Sequence, residues 1–542
     1  MNRLFAYAVC VAVTVALLGC RTGTTVKAAA EPAAQHQAKP AGASAGLVAY
    51  PAYPGAPRSQ DYSVAVDGQS VFVHHFPTYN GSGFMDYVHF AFTGKVTVTI
   101  TRNSGTVSTC DVRPLAYGIA PRKTGNTVTF ELDRPRYLIV FINEPASFGS
   151  NGLIIFAEAP EEDPPKPGDA NVVDVTRYGI DPTGKTVETV KINQAIADVA
   201  ARPGGGVLFF PRGGVYLTGT VMMKSNVTLY VEAGALIKGS DNIADYPPQR
   251  LAPSDSSANS GWLFWFDDIA NARLRGRGTI DANGYPELNR GLGKRSIRSY
   301  RLDHCRDIVF EDLILRRSCT WTVNLFDCDG FTSRRVKILN RKRDYGDDGY
   351  DIDVSRHVRI EDGFALVTDE PFSIKGTRRD RVQPIEDIVV KGFVGYGYDD
   401  GLAMGYHNES NYKDVKDVLL EDVHFVSTWK SYAIWIAFIP NPRTGYSEQI
   451  DRPLENFRFV NCTFEEGGAV YIAGGAAPLT GFSFEGCRIY NHRDWTRPST
   501  ISGTGFGPVS FKNLQIDGAA VGSAEDLRKA GMEITVPTKF EP

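Results

Sequence analysis

"CRDIVFEDLIL" at Cys305–Leu315, "CDGFTSRRVKIL" at Cys328–Leu339 and "SRHVRIEDGFAL" at Ser355–Leu366 are three versions of one phrase. Each joins a short alternating run to a second apolar patch across a charged turn, which suits two brief strands. The phrase returns as "IEDIVVKGFVG", "VKDVLLEDVHF", "LENFRFVNCTF", "LTGFSFEGCRI" and "GPVSFKNLQI". With Ile308, Phe331, Val358, Ile388, Val418, Phe457, Phe482 and Val509 taken as equivalent, the steps are 23, 27, 30, 30, 39, 25 and 27 residues. Repeats of that length built from strands argue for a solenoid. A right-handed parallel β-helix fits best, because each coil can bury its inward residues only against the coils above and below. The chain therefore reads as all-β.

Working outward, the β-helix is expected over residues 171–542, with the helical spacing of Ile192, Ile196 and Val199 in "VKINQAIADVA" capping its open first coil. Residues 161–170, within the Pro-rich "EAPEEDPPKPGD", read as a linker. Upstream, "SVFVHHF", "KVTVTITR", "NTVTFEL" and "RYLIVFI" suggest an antiparallel β-sandwich over residues 59–160. Residues 20–58, rich in Ala, Pro, Gly and Ser, read as a disordered tether. The first residues, "MNRLFAYAVCVAVTVALLGC", have the form of an export signal over residues 1–19. Its ending resembles a bacterial lipobox, which makes Cys20 the lipidated residue and the cell envelope the expected location.

A formal net charge of −4 over 542 residues gives no general attraction to phosphate, so nucleic acid is not an expected partner. The membrane is expected to be touched only through the lipid, and the protein to act as a monomer. Six of the eight cysteines lie beyond the leader, none in a CxxC metal spacing. The repeat stacks Cys305 on Cys328 and Cys462 on Cys487, as packed thiols or, alternatively, as disulfides.

The acids are concentrated at one edge of this solenoid. "DDGYDID" from Asp347, "DEPFSIK" from Asp369 and "DDGLAMG" from Asp399 begin strands in successive coils. Tyr350 and Ile352, Phe372 and Ile374, and Leu402 and Met404 alternate inward, so Asp348, Glu370 and Asp400 fall one above another about 4.8 Å apart. Diagonal pairs come to roughly 7 to 10 Å, which overlaps the carboxyl separation of inverting glycosidases. Such crowding also supplies the raised pKa a proton donor needs. A solvated turn or a calcium site is the plainer alternative.

"YGIDPTGKTVETVKINQAIADVA" at Tyr178–Ala200, "GRGTIDANG" at Gly276–Gly284 and "CTWTVNLFDCDGFTSRRVKILN" at Cys319–Asn340 resemble the polygalacturonases of glycoside hydrolase family 28. The resemblance spans residues 173–500 and implies a pectin-type β-helix, hydrolysis with inversion, and no cofactor or metal. By the family's first motif Asp348 is the water-activating base and Asp351 the downstream acid. By the second, Asp369 is the proton donor and Glu370 a second base. The third motif falls on Asp399-Asp400-Gly401 without its histidine, placing Asp400 in the catalytic set and Asp399 beside it. The basic pair of the fourth motif is absent, leaving Lys430 as its candidate; Lys375, Tyr406 and His407 complete the expected substrate contacts.

These departures keep a neutral α-glucan open. The sandwich joined to a β-helix also resembles the dextranases and isopullulanases of family 49. A calcium-dependent lyase with Lys375 as base, and a non-catalytic glycan-binding surface protein, are the rival classes.

Overall fold

A computed structural model of the chain describes residues 46–77, 83–147, 149–247, 261–284, 297–340, 346–376, 383–397, 399–404, 414–437, 453–465, 467–474, 478–490 and 499–541; the side chains of 297, 427–431 and 467–469 are also outside the description. All of these residues belong to one compact unit. Among them, no helix is long and apolar enough to cross a membrane.

Through most of the second half of the chain each strand pairs in parallel with the strand three places on, so each coil gives one strand to each of three ladders. The expected register holds: Ile308 pairs with Phe331, Phe331 with Val358, Val358 with Ile388, Ile388 with Val418 and Val418 with Phe457. One position earlier stands a left-handed residue in coil after coil, Asp307, Gly330, Asp387, Asp417, Asn456 and Gly481 among them, with φ between 54° and 86°. Aspartate, asparagine and glycine tolerate that conformation best, so turn chemistry and strand register repeat together. Inward side chains form one continuous core from Val173 to Val536.

Both ends of the stack are closed. Helix Thr189–Ala200 buries Ile192, Ala195, Ile196 and Val199 on the first coil, as its spacing predicts. A second helix, Ala524–Lys529, buries Leu527 at the far end, with Ser523 as its N-cap accepting from the Asp526 N–H. It is short, and its single apolar contact leaves no periodic signal. The cysteine pairs are buried free thiols, as packing rather than bridging predicts.

The N-terminal sandwich pairs the strands Gln69–Val71, Tyr62–Val66, Val96–Arg102, Thr127–Leu132 and Arg122–Thr124 in one antiparallel sheet. Its other sheet runs Leu47–Ala49, Met85–Phe92, Gly152–Glu158, Arg136–Ile142 and Cys110–Arg113. Here Gly152–Glu158 lies parallel to Met85–Phe92, an exception to the antiparallel expectation. Leu47–Ala49 pairs with Phe90–Phe92, and Tyr53 OH accepts from Arg316 at 2.7 Å. The tether expected to reach residue 58 therefore ends sooner, because its last apolar residues complete a sheet and a contact with the β-helix.

The second sheet is buried on both faces. Met85, Tyr87, Ile139, Phe141, Ile154 and Phe156 pack against Ile314, Leu339, Phe364, Leu366, Val394 and Tyr396 on the outside of the β-helix. That burial explains the unbroken apolar runs "RYLIVFI" and "GLIIFAE". At the centre of this seam Glu158 takes Lys337 Nζ at 2.8 Å, His89 Nε2 at 2.5 Å and the Arg277 guanidinium. The linker is docked as well: Arg277 donates to Ala159 O at 3.1 Å, and Tyr230 OH reaches Glu161 at 2.9 Å.

Candidate active site

Strands Tyr350–Asp353, Phe372–Lys375 and Leu402–Met404 carry the acids. Tyr350 pairs with Phe372 and Phe372 with Leu402, and the Gly349 N–H donates to Glu370 O at 2.8 Å. Asp348, Glu370 and Asp400 are therefore in register at the strand entrances. Oxygens of Asp348, Asp369 and Glu370 lie within 4.8 Å of one another. The backbone spacing alone suggested a wider diagonal for Asp348 and Asp369; the side chains converge, which strand geometry does not specify.

Lys375 organises this group. Its Nζ lies 2.8 Å from Asp348 Oδ2, 2.5 Å from Asp351 Oδ1 and 3.9 Å from the centre of the Trp321 ring. Lys375, Asp348 and Asp351 are all buried. Burial pushes Asp348 toward its neutral form, but the Lys375 charge and hydrogen bonds from Asp351 and Lys375 outweigh it and hold its pKa below the usual value. Asp351 moves well upward, through burial first and the Asp348 charge second. Asp369 also moves well upward, through burial and then the charges of Asp348, Asp399 and Asp347. Glu370 shifts the same way, through burial and then Asp369 and Asp348. One carboxylate is thus held toward its ionised form while its neighbours are pushed toward the neutral one. The pattern separates a base from an acid, a division that titrates as a group property. The Asp348 oxygen that meets the cation is Oδ2, which accepts from Lys375 Nζ.

Other expected residues are placed differently. Asp400 is buried and accepts from the Tyr432 N–H at 2.8 Å; it is not one of the three converging carboxylates. Asp399 is half-buried. Asp347 accepts from the Thr368 N–H at 2.8 Å and ties one acidic turn to the next coil. The sequence offers Lys375 as a substrate contact or a lyase base; its charge is instead held by Asp348 and Asp351. Its pKa lies well above the ordinary value, because those two acids and Glu370 overcome the cost of burial. Lys430 lies within strand Val415–Ala437, its side chain outside the description, and Tyr406, His407, Tyr398 and Asp344 are also outside the described residues.

Rings flank the acids on both sides along the same ladder. Toward the C-terminal coils, Trp435 stacks on Tyr471 at 4.4 Å, with Tyr432 beside them. Toward the N-terminal coils, Arg298 stands between Trp262, at 5.4 Å, and Trp321, at 4.3 Å. This stack was missed in the sequence, although the repeat contains it: Trp262 pairs with Arg298, and Tyr300 with Val323, which brings Arg298 level with Trp321.

The model of the Glycosyl hydrolases family 28 matches residues 210–435. An exo-poly-alpha-D-galacturonosidase of Dickeya chrysanthemi is 35% identical over 126 residues, 21% of this chain and 20% of that protein. A probable polygalacturonase of Vitis vinifera is 26% identical over 219 residues, 38% of this chain and 44% of that one. The chain thus spans less than half the length of these curated relatives. The solved structure of Dex49A from Penicillium minioluteum shares the fold at 14% identity, with a TM-score of 0.54, over 91% of this chain and 96% of that one. The coils that bring Asp348, Asp369 and Glu370 together lie within the segment that the model of the Glycosyl hydrolases family 28 matches.

Proposed function

We propose that the chain is an exported, lipid-anchored glycoside hydrolase that cleaves a galacturonan-type polysaccharide with inversion at the anomeric carbon. The observation that carries this reading is the convergence of three carboxylates with opposed proton affinities. Asp348, kept ionised beside Lys375, takes a proton from water as the water oxygen bonds to the anomeric carbon. Asp369, kept protonated, gives its proton to the glycosidic oxygen as that carbon–oxygen bond breaks. Glu370 stands beside both, Asp351 shares the Lys375 charge with Asp348, and Asp400 ties its strand entrance to the Tyr432 N–H.

Inversion is supported by the family likeness rather than by spacing, since the nearest oxygens lie closer than the 6.5 to 9.5 Å typical between inverting carboxyl groups. A lyase is disfavoured, because a lysine held protonated by two buried carboxylates is a poor proton acceptor. Galacturonan is favoured by the named activities of the relatives. Anchoring rests on the leader ending at Cys20.

The deciding experiment incubates the purified protein with polygalacturonate, dextran and other neutral glucans, follows reducing ends, and records proton NMR of the first product. Release from polygalacturonate of the anomer opposite to the bond cleaved is expected. Cleavage of dextran alone would move the substrate to the neutral glucans. Retention of configuration, or an unsaturated ultraviolet-absorbing product, would overturn the mechanism.

A further inference from the structure

We infer that the cleft roofed by the linker on the N-terminal coils is a second sugar-binding site, which holds an acidic sugar unit away from the place of cleavage; for the identity of the sugar it rests on the galacturonan reading above. Residues 162–171 do not run straight from the sandwich to the first coil. Strands Gly206–Phe210, Val227–Val231 and Arg273–Arg275 pair in parallel in that order, and Val172–Asp174 joins the stack beside the first of them. The upstream end of the linker is fastened to the third. There the Arg275 guanidinium donates to the carbonyls of Glu162 and of Asp163, the latter at 3.3 Å, and lies 3.1 Å from Glu311. The segment between arches over the outer face. It is stiffened by Pro164-Pro165 and by a turn in which Asp169 accepts the Lys166 N–H at 2.9 Å and donates its own to Lys166 O at 3.1 Å. Beneath the arch Val207, Thr228 and Arg273 stand in register on the outside of the three strands, about 10 Å from first to last. Floor and arch bound a cleft of about 540 Å³, within the range of small-ligand sites.

The lining has the chemistry that a uronate needs. Arg275 is committed to the linker and to Glu311, but Arg273 and Lys166 are exposed and form no ion pair among the described residues. A planar carboxylate answers them, bidentate on the guanidinium. Asp163 and Asp169 accept hydrogen bonds, and Asn171 and Thr228 both accept and donate, which suits neighbouring sugar hydroxyls. Pro165 and Val207 offer apolar surface to the C–H side of a ring. A bare anion would leave the two acids facing like charge, and a neutral sugar would leave the two cations unanswered. The cleft is separate from the acidic trio. Strands Gly261–Asp267, Ile297–Asp303, Val323–Phe326 and Tyr350–Asp353 pair in that order, and Arg273 belongs to the coil of the first. Asp348 is therefore three coils, about 14 Å, further along the axis and on another ladder. A unit bound under the arch anchors the chain and touches no reacting atom.

The test follows amide exchange in the full chain carrying Asp369→Asn, which keeps the probe intact, with trigalacturonate, maltotriose or inorganic phosphate added at equal concentration. Trigalacturonate alone is expected to slow exchange in residues 162–171. Arg273→Gln, added to that protein, should raise the trigalacturonate concentration needed for half of this protection about 10-fold, the scale of one lost charged hydrogen bond. In otherwise wild-type protein the same change should leave kcat/KM on trigalacturonate where it was, since Arg273 lies outside the cleavage site. Equal protection by maltotriose or by phosphate would overturn the assignment to an acidic sugar. So would an absence of protection, or protection undiminished in a folded Arg273→Gln protein. Protection in a protein whose wild type leaves polygalacturonate uncut would sink the galacturonan reading for catalysis and keep the cleft; cutting without protection would sink the cleft alone.

Discussion

Replacing Lys375 with Met removes the one cation bonded to both Asp348 and Asp351 and keeps similar volume. At 2.8 Å the attraction between Nζ and Asp348 Oδ2 is about 6 kcal/mol for an effective dielectric of 20. At about 1.36 kcal/mol per pH unit, its loss pushes the Asp348 pKa upward. Burial, already the largest single influence on Asp348, would then be opposed only by the hydrogen bonds to Asp351 and the backbone and would favour the neutral acid. The variant should lose its base: turnover falls by at least 10²-fold at mildly acidic pH. What activity remains should have its acidic limb displaced to higher pH. Stability should also depend on pH in a defined way, since an unpaired buried carboxylate costs 3 to 5 kcal/mol unless it takes up a proton. The variant should therefore lie close to wild type near pH 4 and be clearly weaker near pH 8. The assays are kcat/KM against pH and thermal unfolding at the same pH values. An acidic limb left where wild type has it, in a folded Lys375→Met protein, would refute the claim that Lys375 keeps Asp348 ionised.

Three further outcomes are expected. Asp369→Asn should lower turnover at least 10²-fold while Tm at neutral pH stays level or rises, because folding no longer has to place a proton on a buried acid; a drop in Tm without loss of turnover would contradict both parts. Glu161, raised from 4.5 to about 7 by burial, binds its proton more tightly in the folded state, so it contributes stability below pH 4.5 that disappears as pH rises toward 7; Glu161→Gln should flatten the Tm profile across that window, and an unchanged slope would argue against it. Cys20→Ser should move the protein from the membrane fraction to the soluble fraction, and continued sedimentation with membranes would show that no lipid at Cys20 holds it there.

The coil ladder was legible because its steps, its inward residues and its left-handed turns repeat together in the sequence. The stacking of Asp348 under Glu370 followed from that arithmetic. Two things did not follow. Side-chain direction at a turn is not set by strand register, so neither the approach of Asp369 to Asp348 nor the grip of Lys375 on Asp348 and Asp351 could be read beforehand. The outward face of the β-helix was also ambiguous, since Phe364, Leu366 and Val394 look the same in sequence whether they turn into the coil or toward a second sheet. Arg298 was within reach of the same register, but only if the rings on either side of it are considered with it.

The seam around Glu158 has a consequence for how the molecule comes apart. A solenoid held only by nearest neighbours frays from its ends, coil after coil, and its unfolding spreads over a range of conditions. Here a second folded layer is fastened to the coils that include Arg277, Lys337, Phe364 and Tyr396, through apolar contacts and a buried ion cluster together. Opening any one of those coils means detaching the sandwich as well. Amide exchange should therefore be slowest in a central block that includes the sandwich sheet from Met85 to Phe92, with protection declining toward both capped ends. The acidic trio stands at the edge of that most slowly opening block, where its geometry is disturbed last as the outer coils breathe.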